Sequence, residues 1–184
     1  MKNAIITSLT DDRPGVLAAI AASLFRSNCN IIQVSQTILG TEFAGIFIVS
    51  MPAAMEENQL KEKIEKDLKG ENINIHVKPI AKPHENNTKK TSDPFIVTTF
   101  GPDQKGLVAA VTACIAKHNA NIANLKAVFN GGDDPKDNVM IYEIDISKAS
   151  NFKALSDDLN KLCDKYGLEI NIQHKLIFDK ITKI

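Results

Sequence analysis

Asp12, Arg13, Pro14 and Gly15 are followed, fifteen residues after the glycine, by Asn30 and Ile31. Asp103 and Gly106 stand in the same relation to Asn121 and Ile122. A glycine that opens a helix lets a ligand reach the main chain, because it has no side chain in the way. The amides of a helix's first turn have no partner of their own, and they attract a carboxylate or phosphate. Asparagine adds a donor and acceptors. Together these types suit a zwitterion, with amides for its carboxylate and side-chain or carbonyl oxygens for its ammonium. Turns need Gly, Pro and Asn in any case. A plain helix start and turn is therefore the competing reading at each position.

The spacing recurs because the chain is a duplication. Residues 11–31 align without a gap to residues 102–122, and 8 of the 21 positions are identical. Most others exchange like for like, as in Ile20/Val111, Leu24/Ile115 and Arg26/Lys117. A repeat of this length is too long for a solenoid unit and fits a small domain. The second copy departs at Gln104-Lys105, where the first has Arg13-Pro14.

The elements that must position these residues follow from periodicity. Ala4–Leu9 reads as a strand. Val16, Leu17, Ile20 and Leu24 recur at helical spacing, with alanines giving a slim face. Ile31–Leu39 reads as a strand with Ile32, Val34 and Ile38 on one side, and Phe43–Met51 as a strand apolar on both sides. Leu60, Ile64 and Leu68 mark a second helix, and Ile73, Ile75 and Val77 a last strand. The order is β-α-β-β-α-β, and it repeats from Phe95. The predicted fold is α+β: two ferredoxin-like modules, each an antiparallel four-stranded sheet with both helices on one face. The expected division is module 1 over 1–79, a polar linker over 80–93, module 2 over 94–177 and an unassigned tail over 178–184. The second strand of each sheet is an edge, apolar in module 1, and is expected to pair with its counterpart in the other half or in a second chain.

Lys and Arg total 22, as do Asp and Glu, so the formal net charge is zero. That disfavours direct nucleic-acid binding and an electrostatic membrane anchor. Cys29, Cys114 and Cys163 form no C-x-x-C pair, and no apolar run spans a bilayer, so a cytoplasmic protein is expected. No nucleophile–base pair, metal-ligand spacing or phosphate loop is present, so the chain reads as a non-enzyme without cofactor or metal. Asp133, Asp134 and Asp137 fit a solvated hairpin better than a metal loop, and His76, His84, His118 and His174 are scattered. Cys29 reads as a small buried residue, and Lys89-Lys90 is too short a basic run to assign.

DDRPGVLAAIAASLFRSNCNI resembles the start of an ACT domain, and GPDQKGLVAAVTACIAKHNANI resembles a second. The tandem pair, with SNCNIIQVSQTILGTEFAGIFIV in the first copy, most resembles the glycine cleavage system transcriptional repressor family. That resemblance implies a regulator that senses a small amino acid, glycine or serine, and acts on a DNA-binding activator protein. It implies ligand contacts at Asp12, Arg13, Pro14, Gly15, Asn30 and Ile31, and at Asp103, Gly106, Asn121 and Ile122. A homo-oligomer is expected. The alternative is a regulatory subunit of an amino-acid metabolic enzyme.

Overall fold

The structure, a computed structural model, describes residues 1–80, 92–129, 138–149 and 151–181. Cα packing separates two compact units, Met1–Asn87 and Thr88–Ile184. Module 1 runs β1 (Lys2–Asp11), α1 (Val16–Arg26), β2 (Asn30–Leu39), β3 (Glu42–Met51), α2 (Glu57–Asp67) and β4 (Asn74–Pro79). Its antiparallel sheet has the order β2-β3-β1-β4. Module 2 runs β5 (Pro94–Phe100), α3 (Leu107–Lys117), β6 (Asn121–Phe129), β7 (Asn138–Asp145), α4 (Phe152–Tyr166) and β8 (Glu169–His174), with the order β6-β7-β5-β8. The α+β architecture is the one that the periodicities require, with the first and third strands central and the second and fourth at the edges.

Alternation sets the core of each sheet. In module 1, Ala4, Ile6, Phe43, Phe47, Val49 and Met51 turn inward under Val16, Ile20 and Leu24 of α1 and Leu60 and Ile64 of α2. In module 2, Val97, Met140, Tyr142 and Ile144 lie under Leu107, Val111 and Ile115 of α3 and Leu155, Leu159 and Cys163 of α4. Each large side chain so buried contributes about 1.5–3 kcal/mol.

Register makes the modules comparable position by position. Asn30 lies opposite Ser50, and Asn121 opposite Asp145. Leu9 faces Ala44, and Phe100 faces Val139. Phe47 of β3 therefore corresponds to Tyr142 of β7, and Phe43 to Asn138. The repeated Asn28 and Asn119 both take positive φ just past a helix, 56° and 58°. Asparagine tolerates that conformation better than most residues.

Two expectations change. The register of β2 shifts between Ile31 and Gln33, so Ile32 is a bulge residue outside the regular pairing. Val34 and Ile38 then lie opposite the inward Phe47 and Phe43, but they share that face with Ile31 rather than Ile32. The end of the chain is helical: α5 (Lys175–Ile181) begins within the span read as module 2 and covers part of the tail read as unassigned. It packs against β5 and β8. Lys175 of α5 pairs with Glu143, which shares the non-helical sheet face with the buried Ile96 and Thr98.

Asp133, Asp134, Asp137, His84, Lys89-Lys90, most of the 80–93 linker and residues 182–184 lie outside the described residues. Among the described residues, no helix is long and apolar enough to cross a membrane, and no cluster of His, Cys, Asp and Glu is placed to hold a metal.

Candidate functional site

In each module the two helices begin differently. Asn151 Oδ1 caps α4 by accepting from the Ala154 N–H at 3.1 Å. Gln59 Oε1 turns back onto the Glu56 N–H at the start of α2, at 2.9 Å. The first helices have no such device. α1 starts at Gly15 (φ 95°) and α3 at Gly106 (φ 91°), both left-handed, and no side chain caps either. Val16 N–H donates to the Arg13 carbonyl and Ala19 N–H to the Gly15 carbonyl. Among the described residues no group accepts from the amides of Leu17 and Ala18, or from those of Val108 and Ala109. These are the donors of a helix first turn that can take an anionic group.

In module 1 these amides border a recess of about 420 Å³ lined by Asp12, Arg13, Gly15, Val16, Leu17, Ala18, Ala21, Gln36 and Phe43. A Cβ on Gly15 would meet nothing within 4 Å, so the space in front of the turn is open. Alanine at 18 and 21 keeps the α1 side of the recess shallow. Asp12, Arg13, Pro14 and Gly15 are all exposed. The turn is held from both sides: Asp12 N–H donates to the Thr41 carbonyl at 2.7 Å, and Arg13 pairs with Glu71. The Arg13 guanidinium is thus already engaged, and Asp12 supplies the charged oxygen at the lip.

Module 2 holds its turn at the equivalent place by other chemistry. Gln104 Nε2 donates to the Tyr166 carbonyl at 3.0 Å, where module 1 has the Arg13–Glu71 pair. Asp103 and Gly106 occupy the same turn positions as Asp12 and Gly15 and are exposed.

Asn30 and Ile31 do not join the turn of their own module. Asn30 opens β2 opposite Ser50, whereas the turn follows Asp11, which lies opposite Glu42. The strand between them spans nine steps, roughly 30 Å at about 3.3 Å per residue. Asn121 and Ile122 are likewise at the far end of β6, opposite Asp145 and Ile144. Gln36 was not legible as a recess residue, because the bulge in β2 changes which of that strand's side chains share the face of Phe43.

The remaining candidates have structural roles. Cys29 is buried, its Sγ lies 3.6 Å from the Ser27 carbonyl, and burial pushes its thiol up. Burial pushes Cys163 up to about 11. Such thiols are poor nucleophiles at neutral pH. His118 Nε2 sits 3.0 Å from Asp158, and His174 Nε2 3.1 Å from Asp93. A second hollow, about 550 Å³ along Pro52, Met55, Gln59, Lys63 and Lys66, receives no uncapped first-helix amides.

The ACT domain profile matches residues 2–78 and 93–173. A UPF0237 protein of Methanococcus maripaludis is 37% identical over 90 residues, covering 48% of this chain and 96% of that protein. One from Methanocaldococcus jannaschii is 32% identical over 92 residues, covering 48% and 96%. These relatives are about one module long. Among solved structures, an unknown protein from Galdieria sulphuraria superposes with a TM-score of 0.72 at 20% identity, covering 94% of this chain and 98% of that one. A proposed glycine cleavage system transcriptional repressor superposes with a TM-score of 0.68 at 17% identity, covering 94% and 96%. At those identities the likeness is one of fold, and it extends through both modules. With both halves matched, the chain belongs to the ACT domain family and carries the domain twice.

Proposed function

We propose that this protein is a non-enzymatic sensor of a small amino acid, glycine or serine, that regulates glycine cleavage genes by binding a DNA-binding activator protein. The carrying observation is the uncapped start of α1: free Leu17 and Ala18 amides facing an open recess, beside the Asp12 carboxylate. The amides take the ligand's carboxylate and Asp12 its ammonium, and the small recess suits a small side chain. The overall likeness to a proposed glycine cleavage repressor supports the regulatory half of the reading.

Asn30 and Ile31 enter the site from a second copy of the chain. Among the described residues β2 has only β3 as a neighbour in its sheet, and its other edge carries Ile32, Val34 and Ile38, each about half exposed, and Leu39 at 80%. Such an edge favours addition of another strand. Antiparallel pairing of two β2 strands brings Asn30 of one copy to the Leu39 end of the other, across the roughly 30 Å that separates them within one module. Ligand binding at that seam favours the assembled state only in proportion to its preference for it.

Calorimetry with glycine, serine and the other common amino acids tests the reading. Gly15→Asp sets a carboxylate where the ligand's carboxylate sits and is expected to abolish module 1 binding. The left-handed backbone at that position adds roughly 1–2 kcal/mol of strain, which leaves the fold intact. Unchanged affinity in Gly15→Asp would move the site elsewhere. Val34→Lys is expected to shift the oligomer to a smaller species in sedimentation and to weaken binding with it. Capture from the native cell of a catalytic chain in place of a DNA-binding one would make the protein an enzyme's regulatory subunit.

A further inference from the structure

Buried polar side-chain atoms without a partner occur in two residues among those described, and the two are neighbours. They are Oδ1 and Nδ2 of Asn138, and Oγ1 of Thr99. Asn138 is 3% exposed and Thr99 is fully buried. Thr99 pairs with Met140, and the Gly101 N–H donates to the Asn138 carbonyl at 3.3 Å, so Asn138 is the diagonal neighbour of Thr99 on the helix-side face. A buried amide and a buried hydroxyl that hydrogen-bond to nothing destabilise a fold. Their coincidence at one point calls for a group that completes them.

The place is informative. By register Asn138 holds the position that Phe43 holds in module 1, and Phe43 lines the recess beneath Gly15, Val16 and Leu17. At the equivalent position module 2 has an amide in place of a phenyl ring, on the side of the sheet that faces α3, whose first-turn Val108 and Ala109 amides are uncapped.

We infer that module 2 binds an amino acid whose neutral side chain both donates and accepts a hydrogen bond, a hydroxyl or a carboxamide, and that Asn138 and Thr99 read that side chain. This rests on the proposed role of the helix-opening turn as the seat of the α-carboxylate. A hydroxyl or carboxamide satisfies Oδ1 and Nδ2 of Asn138 together. A carboxylate accepts only and leaves Oδ1 unpaired. An aliphatic side chain leaves all three atoms unpaired, and a site that keeps polar groups for a ligand rejects the ligand lacking them. Module 1, with Phe43 there, has no such preference.

Calorimetry on the full chain carrying Gly15→Asp isolates module 2, with serine, alanine, asparagine, threonine and valine as probes. Serine is expected to bind at least about tenfold tighter than alanine, and threonine than valine, with asparagine distinguishing carboxamide from hydroxyl. Adding Asn138→Leu or Thr99→Val is expected to bring those ratios toward one, while the melting temperature stays level or rises because an unpaired polar group has been removed. Each of the following results overturns the inference. Serine and alanine could bind equally. The ratio could survive both substitutions. Both variants could melt lower with the ratio unchanged, which would mark the amide as bound to structural water. If Gly15→Asp alone removes all heat, module 2 binds nothing and this inference falls while the module 1 reading stands. No heat with any amino acid in the parent chain removes both.

Discussion

Modules 1 and 2 keep one backbone and fill it differently, and several of the differences lie near the helix-opening turn. Deep in the core the exchange is mild: Phe47 becomes Tyr142, both fully buried. At the strand ends near the helix-opening turn it is abrupt. Phe43 becomes Asn138, Thr10 becomes Gly101, and the Arg13–Glu71 pair becomes Gln104 on the Tyr166 carbonyl. The outer sheet faces differ as well. Ile5 and Thr7 are half-buried in module 1, while their counterparts Ile96 and Thr98 in module 2 are buried on the face where Lys175 of α5 reaches Glu143. A duplicated fold tolerates change where packing permits either residue.

The largest effect tests whether the two cores are interchangeable. Phe47→Ala is expected to cost about 3–5 kcal/mol, read as lost hydrogen-exchange protection in β1 and β3. Tyr142→Phe at the equivalent position is expected to stay within about 1 kcal/mol. Among the described residues the Tyr142 hydroxyl donates only to the Met140 thioether, a weak acceptor, at 3.2 Å. Its burial, which pushes the phenol up to about 12, is a cost that phenylalanine avoids. A loss above about 2 kcal/mol in Tyr142→Phe would show that the hydroxyl has a role the module 1 core lacks.

A smaller effect separates the strand ends. Gly101 has φ 158°, and a Cβ there would collide with the Leu168 side chain and lie 3.2 Å from the Gly167 carbonyl oxygen. Gly101→Ala is expected to cost about 1–3 kcal/mol in chemical denaturation. Thr10, its counterpart, donates through Oγ1 to the Glu71 carbonyl at 3.2 Å. Thr10→Val is expected to cost about 1 kcal/mol. Equal losses would mean that the loop after the second helix is held alike in both modules.

What the sequence discloses and what it hides follow a physical rule. Strand order, helix faces and the duplication are visible because each rests on a local period of two or about 3.6 residues. Gly15 and Asp12 stand out because a turn before a helix is a local event. Gln36 and Phe43 become recess-wall positions only through cross-strand register. One bulge at Ile32 is enough to shift that register, and no spacing along the chain announces it. The distance between Asn30 and the turn was hidden for the same reason: residues fifteen apart in sequence sit at opposite ends of a strand. The repeated Asn28 and Asn119 show the converse, a shared residue type explained by a left-handed backbone and not by a ligand.

The finest distinction lies in how each module ties its first helix to its second. In module 1, Ser23 Oγ and Arg26 Nε both donate to Asp67, at 2.9 and 3.0 Å. In module 2, Lys117 Nζ and His118 Nε2 meet Asp158, at 2.9 and 3.0 Å. The Ser23 hydroxyl, and then Arg26, hold the Asp67 carboxyl below its ordinary value, and Lys117 and His118 do the same for Asp158. Each acid therefore stabilises its module fully above the unfolded value near 3.8, and loses that contribution as pH falls toward the folded one. At the alkaline end the modules part. Asp158 raises Lys117 above 10.5, so that link is intact below 10.5 and is lost as pH climbs through the folded value. Arg26 does not deprotonate in that range. Buried thiols add an alkaline loss to both modules, Cys29 in module 1 and Cys163, pushed up to about 11, in module 2. The informative reading is thus the difference between the parent and Lys117→Arg. Thermal melts from pH 9 upward are expected to show the substituted chain falling less steeply, with exchange protection retained in α3 and α4. Parallel curves would mean that the Lys117–Asp158 contact is too exposed to matter, and would leave Ser23, which is fully buried, as the reason the module 1 link is the stronger of the two.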